Sequence, residues 1–574
     1  MNAMTEYQKW LNSGVIDEGT RARLISMKDD KETIEGCFAL PMQFGTAGLR
    51  STMDVGISHM NVYTVAQTTK GLADLVLQSG GKERGVAVCY DSRINSELFA
   101  RTAAQVLAAS GVKVYLFDGI RPTPELSFAI LHYHCMAGIN ITASHNPKEY
   151  NGYKAYWEDG AQLPPEHAQI VSDTVAKTDI FSVEQMPLEK AIASGLVVML
   201  GKETDDAYLD AVQACSLSPE LVNRYGADLH IVYSPLHGTG YRLVPEILKR
   251  QGIPNILTVE EQMIPDGRFP TVASPNPENT ECFALAAKKV KDEGLDCNMI
   301  IASDPDADRI GIALRGKDGE FYALTGNQIG VLLIDYILKA RKEKGILPKN
   351  ACTIKSIVSS NLFDAVCDAA GVDHVSVLTG FKFIGEKIKQ WEKSGEHTFI
   401  FGYEESHGYL SGSYARDKDA VAGSMLAVEM ACYHASRGET VAEALQKIYE
   451  TYGFYKEFTF SVAVKGLDPM AIMGERMAAL RQNGFASIAG KQVVRVRDYK
   501  AGTVTDLQSG AVSGTGLPCS DVLYYELETG DAVIVRPSGT EPKIKVYLLA
   551  KADSEAAVEK KLGEYAAFMK EKMA

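Results

Sequence analysis

Three aspartates alternate in DPDADR at residues 304–309, directly after the apolar run NMIIA, so a tight loop at the end of a strand would aim the carboxylates of Asp304, Asp306 and Asp308 at one point. Oxygen-only ligation of this kind suits a hard divalent cation, magnesium first. A calcium-binding EF-hand loop begins the same way but needs Gly at its sixth position and Glu at its twelfth, where this chain has Arg309 and Arg315. Calcium sensing is excluded on that ground. A DxDxT phosphatase loop is excluded as well, because the fifth residue of the string is a third aspartate.

A candidate nucleophile lies in ITASHNPKEYNGYKAYW, where Ser144 stands in a polar turn beside His145, with Lys154 ten residues further on. The GxSxG elbow of the triad hydrolases is missing, and adjacency alone does not make His145 an aligned base, so acyl transfer is disfavoured. A lone serine in such a turn is ordinarily a cap. What lifts Ser144 above that reading is its company. GYEESHGYLSG at 402–412 gathers Glu404, Glu405, Ser406 and His407, a mixture of donors and acceptors that suits sugar hydroxyls. RPSGTEPKIKVY at 536–547 puts Arg536, Ser538, Gly539, Thr540 and Lys543 between two strand-like runs, where a forked guanidinium, hydroxyls and backbone NH groups can close on a phosphate. YARDKDA adds Arg416 and Lys418, TGFKFIG adds Lys382, FGTAGLR adds Arg50, and YDSR adds Asp91 and Arg93.

The elements that must hold these strings alternate. GVAVCY at 85–90 reads as a strand, ELFARTAAQVLAAS as a helix stopped by Gly111, and VKVYLF at 112–117 as the next strand. The alternation recurs with strands near 229–233, 255–259 and 298–302, and again near 354–358, 374–378 and 398–402. Three successive α/β units follow, and nearly all the unusual strings fall just past a strand's carboxyl end, where open α/β sheets bind ligands. The last stretch is mainly strand-like, closed by a helix from about residue 553, and the first forty residues read as a helical leader. With 574 residues the chain is too long for one core. The expected domains are 1–200 with the leader and the serine loop, 201–318 with the aspartate loop, 319–455 with the hydroxyl-binding loop, and a smaller α+β domain over 456–574.

A formal charge of −14 disfavours partners held by nonspecific attraction to a phosphate backbone, so nucleic acid is not expected and any anionic ligand needs locally gathered cations. The ten cysteines show no CxxC and suit neither zinc nor a disulfide framework, and they read as reduced thiols. No signal peptide and no uninterrupted apolar span are visible, so a soluble cytoplasmic protein without membrane partners is expected.

GTAGLR, TASHNPKEYNGYK, DPDADR, TGFK, GYEESHG, RDKD and RPSGTEPK, in this order over almost the whole chain, resemble the α-D-phosphohexomutase superfamily, the phosphoglucomutases and phosphomannomutases, and within it the phosphoglucomutase and phosphopentomutase branch. The resemblance implies three similar mixed-sheet α/β domains and a smaller fourth one around a central cleft. It implies that Ser144 carries the transferred phosphoryl group and holds Mg2+ together with Asp304, Asp306 and Asp308. Arg50, His145, Lys154 and Arg309 would crowd the transfer site. Lys382, Glu404, Ser406, His407, Arg416 and Lys418 would meet the sugar, and Arg536, Ser538, Gly539, Thr540 and Lys543 the phosphate that does not react. The implied reaction converts glucose 1-phosphate to glucose 6-phosphate, with glucose 1,6-bisphosphate as intermediate and activator, in a monomer or weak homodimer. Ribose or deoxyribose and mannose phosphates are the alternative substrates. A sugar phosphatase or bisphosphate synthase, and a non-catalytic sugar-phosphate sensor, are the rival functions.

Overall fold

The computed structural model describes residues 2–45, 48–254, 256–465, 468–538 and 543–573. The chain forms two compact units, one of Met1–Ile329 with Ile384–Gly438, the other of Gly330–Phe383 with Glu439–Ala574.

The first unit begins with the expected leader, helices Ala3–Leu11, Glu18–Ser26 and Lys31–Phe38, whose first turns are capped by Asn2, Asp17 and Asp30. Buried Trp10 packs edge-on against Phe38, Tyr63 and Phe181, and Arg23 forks onto both oxygens of Asp54. These contacts fasten the leader to the α/β domain that follows.

That domain is a six-stranded sheet. Val86–Tyr90, Val114–Phe117 and Val197–Leu200 run parallel, Ala137–Ile141 joins Val86–Tyr90 in parallel, and Tyr150–Trp157 and Leu49–Thr52 complete the sheet antiparallel. Every residue of Val86–Tyr90 is buried because both faces are covered. Val86, Val88 and Tyr90 pack with Phe99, Ala103 and Leu107 of helix Ser96–Ala109, while Ala87 and Cys89 pack with Leu126, Ala129 and Ile130 of helix Thr123–His132. The two-residue period of the strand thus serves two helices.

A second sheet of five strands has the parallel neighbours Ile256–Thr258, Ile231–Ser234 and Met299–Ser303, followed by the antiparallel Ile310–Arg315 and Phe321–Ala323. The first unit also contains the antiparallel pair Thr398–Glu404 and Gly408–Leu410 and the helix Ala420–Ala435, buried from Ala420 to His434.

In the second unit Ala351–Ser356 and Asp373–Val377 pair in parallel. An antiparallel sheet runs in the order Phe454–Ala463, Lys543–Ala552, Ala532–Pro537, Leu523–Leu527, Lys491–Asp498, Thr503–Asp506 and Val512–Gly514, with helix Glu555–Met573 packed on it. No helix among the described residues is long and apolar enough to cross a membrane.

One feature of this topology bears directly on chemistry. The serine, aspartate and EESHG loops, and the loop after Arg536, each join two antiparallel neighbours. Each is a chain reversal rather than the start of a crossover helix. NGYKAYW is therefore strand, and Lys154 pairs with Asn140 across it.

All ten cysteines are thiols, of which Cys519 alone is exposed. Burial pushes Cys135, Cys282, Cys367 and Cys432 up to about 12 and Cys37 up to about 11, which suppresses the reactive thiolate. Titration with a chromogenic disulfide reagent should show one fast thiol in the native protein, abolished by Cys519→Ser, and all ten in denaturant. Several fast native thiols would contradict the packing described.

Candidate active site

Ser144 takes a left-handed conformation at φ 50°, an arrangement that costs a side-chain-bearing residue roughly 1–2 kcal/mol and so must be held from outside. Its NH donates to Thr142 Oγ1 at 2.8 Å, and Thr142 Oγ1 donates to Asp91 Oδ2 at 2.6 Å. Asp91 Oδ1 accepts from Ser96 Oγ at 2.7 Å and from the Arg93 NH at 2.9 Å. Arg93, which stacks over Phe269, donates to the carbonyl oxygens of Ser144, Asn146, Pro147 and Tyr150. One guanidinium thus gathers four carbonyls of the serine loop. Gly152 closes the platform: a Cβ there would fall 2.5 Å from the Thr142 carbonyl oxygen. Asp91 and Arg93 stood out in the sequence only as two more charges; the structure makes them the mount of the loop.

Positioned in this way, Ser144 is 3% exposed and its Oγ donates to Asp304 Oδ2 at 2.7 Å. His145 Nδ1 lies 3.2 Å from the same Oγ, so adjacency in sequence does not keep this imidazole from the hydroxyl. Asp304, Asp306 and Asp308 are buried and present ligand atoms within 4.8 Å of one another. The reversal between Ser303 and Ile310 brings them together, helped by Ala307 at φ 48°. The two oxygens of each carboxylate have different duties. Asp304 Oδ1 accepts the NH groups of Asp308 and Arg309, both at 3.1 Å. Lys154 Nζ lies 2.7 Å from Asp306 Oδ2 and Lys418 Nζ 2.6 Å from Asp308 Oδ2. Asp306 Oδ1 and Asp308 Oδ1 are buried with no hydrogen-bond partner. Buried carboxylate oxygens without donors are costly unless a cation meets them, so the cluster fits a metal ion.

The charges are mutually adjusted. Burial, then Asp306 and Asp308, push the Asp304 carboxyl well above its usual range. Burial also acts on Asp306, but Lys154 outweighs it and holds Asp306 well below that range. Burial opposes the charge of Lys418, yet Asp308 and Asp417 overcome it and raise this ammonium. Burial likewise opposes Arg309, and Glu278, at 2.6 Å from its Nη1, with Asp308 more than restores the charge. Glu278 carries no sequence signal of this role. Arg50 is exposed and donates from Nη1 to Asn146 Oδ1 at 3.1 Å.

The EESHG loop contributes Glu404, which is buried, and Ser406, which is half-buried. His407, at φ 67°, is tied twice to Ile310: its carbonyl accepts the Ile310 NH at 3.1 Å and its Nδ1 lies 3.1 Å from the Ile310 carbonyl oxygen. Through Nδ1 the ring, expected from sequence among the sugar contacts, anchors this loop to the strand leaving the aspartate cluster. Arg416 is engaged too, with Glu392 at 2.5 Å and the carbonyls of Ser413 and Ala415.

In the second unit Arg536 donates from Nη1 to Thr379 Oγ1 and from Nη2 to Tyr547 OH at 3.3 Å, while its Nε is buried without a partner. The Ser538 NH donates to the Lys543 carbonyl oxygen at 2.8 Å, and Lys382 Nζ sits 5.1 Å over the Phe383 ring at the start of helix Lys382–Ser394. Thr379, one residue ahead of the glycine in TGFK, was not singled out in sequence. Gly539 and Thr540 lie outside the described residues.

Four family models match in order: phosphoglucomutase/phosphomannomutase alpha/beta/alpha domain I over residues 41–180, domain II over 206–317, domain III over 325–452 and the C-terminal domain over 488–562. The phosphoglucomutase of Staphylococcus saprophyticus is 36% identical over 508 residues, covering 88% of this chain and 90% of its own length. That of Staphylococcus epidermidis is 34% identical over 556 residues, covering 97% and 98%. Among solved structures, parafusin, a phosphoglucomutase of Paramecium, matches with TM-score 0.67 at 18% identity over 92% of this chain and 95% of that one, a likeness of fold.

Burial, then Arg309 and Arg50, hold the His145 imidazole well below its ordinary range, and burial lowers His407 as well. The unfolded chain protonates these rings near pH 6.5 and the folded chain takes the proton less readily, so their contribution is present above about 6.5 and shrinks as pH falls below it, by at most roughly 1.4 kcal/mol per pH unit for each ring. Urea unfolding between about pH 5 and 7.5 should therefore show His407→Gln with a shallower dependence of stability on pH than the parent. Parallel slopes would refute the neutral buried imidazole.

Proposed function

The chain belongs to the phosphoglucomutase/phosphomannomutase family, all four of whose domains it carries in order, and from that premise we propose that it is an isomerase-class phosphotransferase moving a phosphoryl group between the 1- and 6-positions of glucose by way of phosphorylated Ser144. The observation that carries this reading is the Ser144 Oγ at 2.7 Å from Asp304 Oδ2, at the edge of a buried cluster with two carboxylate oxygens left for a cation.

Phosphoryl transfer passes through a loose transition state with charge on the equatorial oxygens, so catalysis is mainly positioning and charge stabilisation. Asp304, Asp306 and Asp308, with the group on Ser144, would hold Mg2+, which when bound supplies Lewis-acid neutralisation of the phosphoryl oxygens. Lys154, Lys418 and Arg309 add fixed positive charge around the same loop. In the first half-reaction the bond from phosphorus to Ser144 Oγ breaks and one to a sugar hydroxyl oxygen forms, giving the 1,6-bisphosphate. The second half-reaction reverses this at the other phosphate and restores phosphorylated Ser144, so no phosphate is consumed. The sugar hydroxyl gives up a proton and Oγ gains one in the first step. His145, neutral and 3.2 Å from Oγ, is placed to exchange that proton. Glu404 and Ser406 supply acceptors and a hydroxyl for the sugar, and Arg536 with Ser538 and Lys543 supplies the donors for the non-reacting phosphate. Arg536 already presents a buried Nε without a partner.

Ser144→Ala should abolish both glucose 1-phosphate turnover, measured with the bisphosphate activator present, and acid-stable phosphate labelling of the protein. Full activity in that variant would end the serine mechanism, and stoichiometric release of inorganic phosphate by the parent would identify a phosphatase instead. Arg536→Ala should raise KM by roughly 30-fold, the equivalent of about 2 kcal/mol for a desolvated charge-assisted pair, with a smaller change in kcat. An unchanged KM would place the second phosphate elsewhere.

A further inference from the structure

The first residue of helix Thr123–His132 reaches the aspartate cluster, and the chemistry above leaves it unused. The Thr123 NH donates to the Asp306 carbonyl oxygen at 2.8 Å, and Thr123 Oγ1 donates to Asp306 Oδ2, also at 2.8 Å. Behind it, Asn140 Nδ2 donates to Thr123 Oγ1 at 2.7 Å. Thr123, Asn140 and Asp306 are all wholly buried. A hydroxyl has one hydrogen to give. With the Asn140 amide occupying a lone pair of Oγ1, that hydrogen is directed at Asp306.

The segment carrying Thr123 is itself braced. Arg121 pairs with Asp205 at 2.6 Å and with Asp118 at 2.9 Å, and Arg242, from helix Gly240–Gln251 of the neighbouring domain, pairs with the same Asp205 at 3.1 Å. Arg121 and Asp205 are buried, so the brace is desolvated and stiff. Thr123 is therefore a fixed point against which the Asp306 carboxylate is set.

We infer that Thr123 is a positioning residue of the cation site: it fixes the rotation of the Asp306 carboxylate so that Oδ2 faces Thr123 and Lys154 while Oδ1 is presented to the metal. The inference rests on reading the Asp304–Asp306–Asp308 cluster as a divalent-cation site. Lys154 alone cannot do this work, because an ammonium on a flexible stem is a compact charge with little directional demand, whereas the braced hydroxyl fixes both a distance and an angle. Groups that orient a metal ligand in this way commonly contribute ten- to a hundredfold to metal affinity.

Thr123→Val keeps the shape of the side chain and the main-chain bond to Asp306 and removes only the hydroxyl. Binding of Mn2+, followed by the electron paramagnetic resonance of the unbound ion, should weaken by about ten- to a hundredfold in this variant and return close to the parent value in Thr123→Ser. The Mg2+ concentration giving half-maximal activity should shift in parallel, with kcat at saturating Mg2+ within a few-fold of the parent. Parent-like Mn2+ affinity in Thr123→Val, or equal weakening in Thr123→Ser, overturns the inference. Should Thr123→Val fail to fold, Thr123→Ala removes the same hydroxyl with room to relax and is judged by the same criterion. Asp306→Asn separates the two readings: if the parent binds no Mn2+, or Asp306→Asn binds it equally well, the cation site itself falls, whereas intact binding by Thr123→Val alone removes only the role of Thr123.

Discussion

Three carboxylates brought within 4.8 Å of one another in the protein interior repel, and each also loses hydration, so the rest of the first unit must be arranged to make that cluster tolerable. Proximity to Lys154 and Lys418 answers part of the demand, since each ammonium lies on the Oδ2 oxygen of one aspartate. The upward shift of Asp304 answers another part. The two ammoniums offset the negative charge that the cluster concentrates, and the carboxyl that burial and its neighbours push up is the one that Ser144 Oγ touches.

The loops that carry this chemistry share a construction. Each joins antiparallel neighbours, and within the first unit each contains a residue in the left-handed region that is not glycine: Ser144, Ala307 and His407. Such conformations persist only where the surroundings over-determine them. For Ser144 the surroundings are Thr142 and the four carbonyls held by Arg93; for His407 they are the paired contacts with Ile310. The strain is balanced by buried hydrogen bonds on the platform behind each loop, and among the described residues the serine Oγ meets Asp304 and His145.

Much of this could be read in the chain itself. Val-rich runs followed by helical stretches gave the α/β alternation, because strands covered on both faces are nearly continuous in apolar residues, as in Val86–Tyr90 and Met299–Ser303. Alternating aspartates gave the cluster. What escaped was everything that depends on a partner distant in sequence. Arg93 is an ordinary cation until its guanidinium is seen among carbonyls more than fifty positions away, and Glu278 has no motif around it at all. In strand Tyr150–Trp157, Gly152 is there for the close approach of the Thr142 carbonyl and not to turn the chain. His407 and Arg416 have the side chains of ligand contacts and are engaged by the fold.

Supporting roles account for many of the buried cations of the first unit. Arg93 on carbonyls, Arg121 on Asp118 and Asp205, and Arg416 on Glu392 each hold chain segments together. Lys154 and Lys418 rest on the clustered aspartates, and in the second unit Arg536 rests on the Thr379 and Tyr547 hydroxyls, which are neutral and weak competitors for a guanidinium. A carboxylate on Arg536 would compete with the incoming phosphate for the same fork, at a cost comparable to the bond being formed. Under the function proposed above, hydroxyl partners orient the arginine and leave its charge for a phosphate.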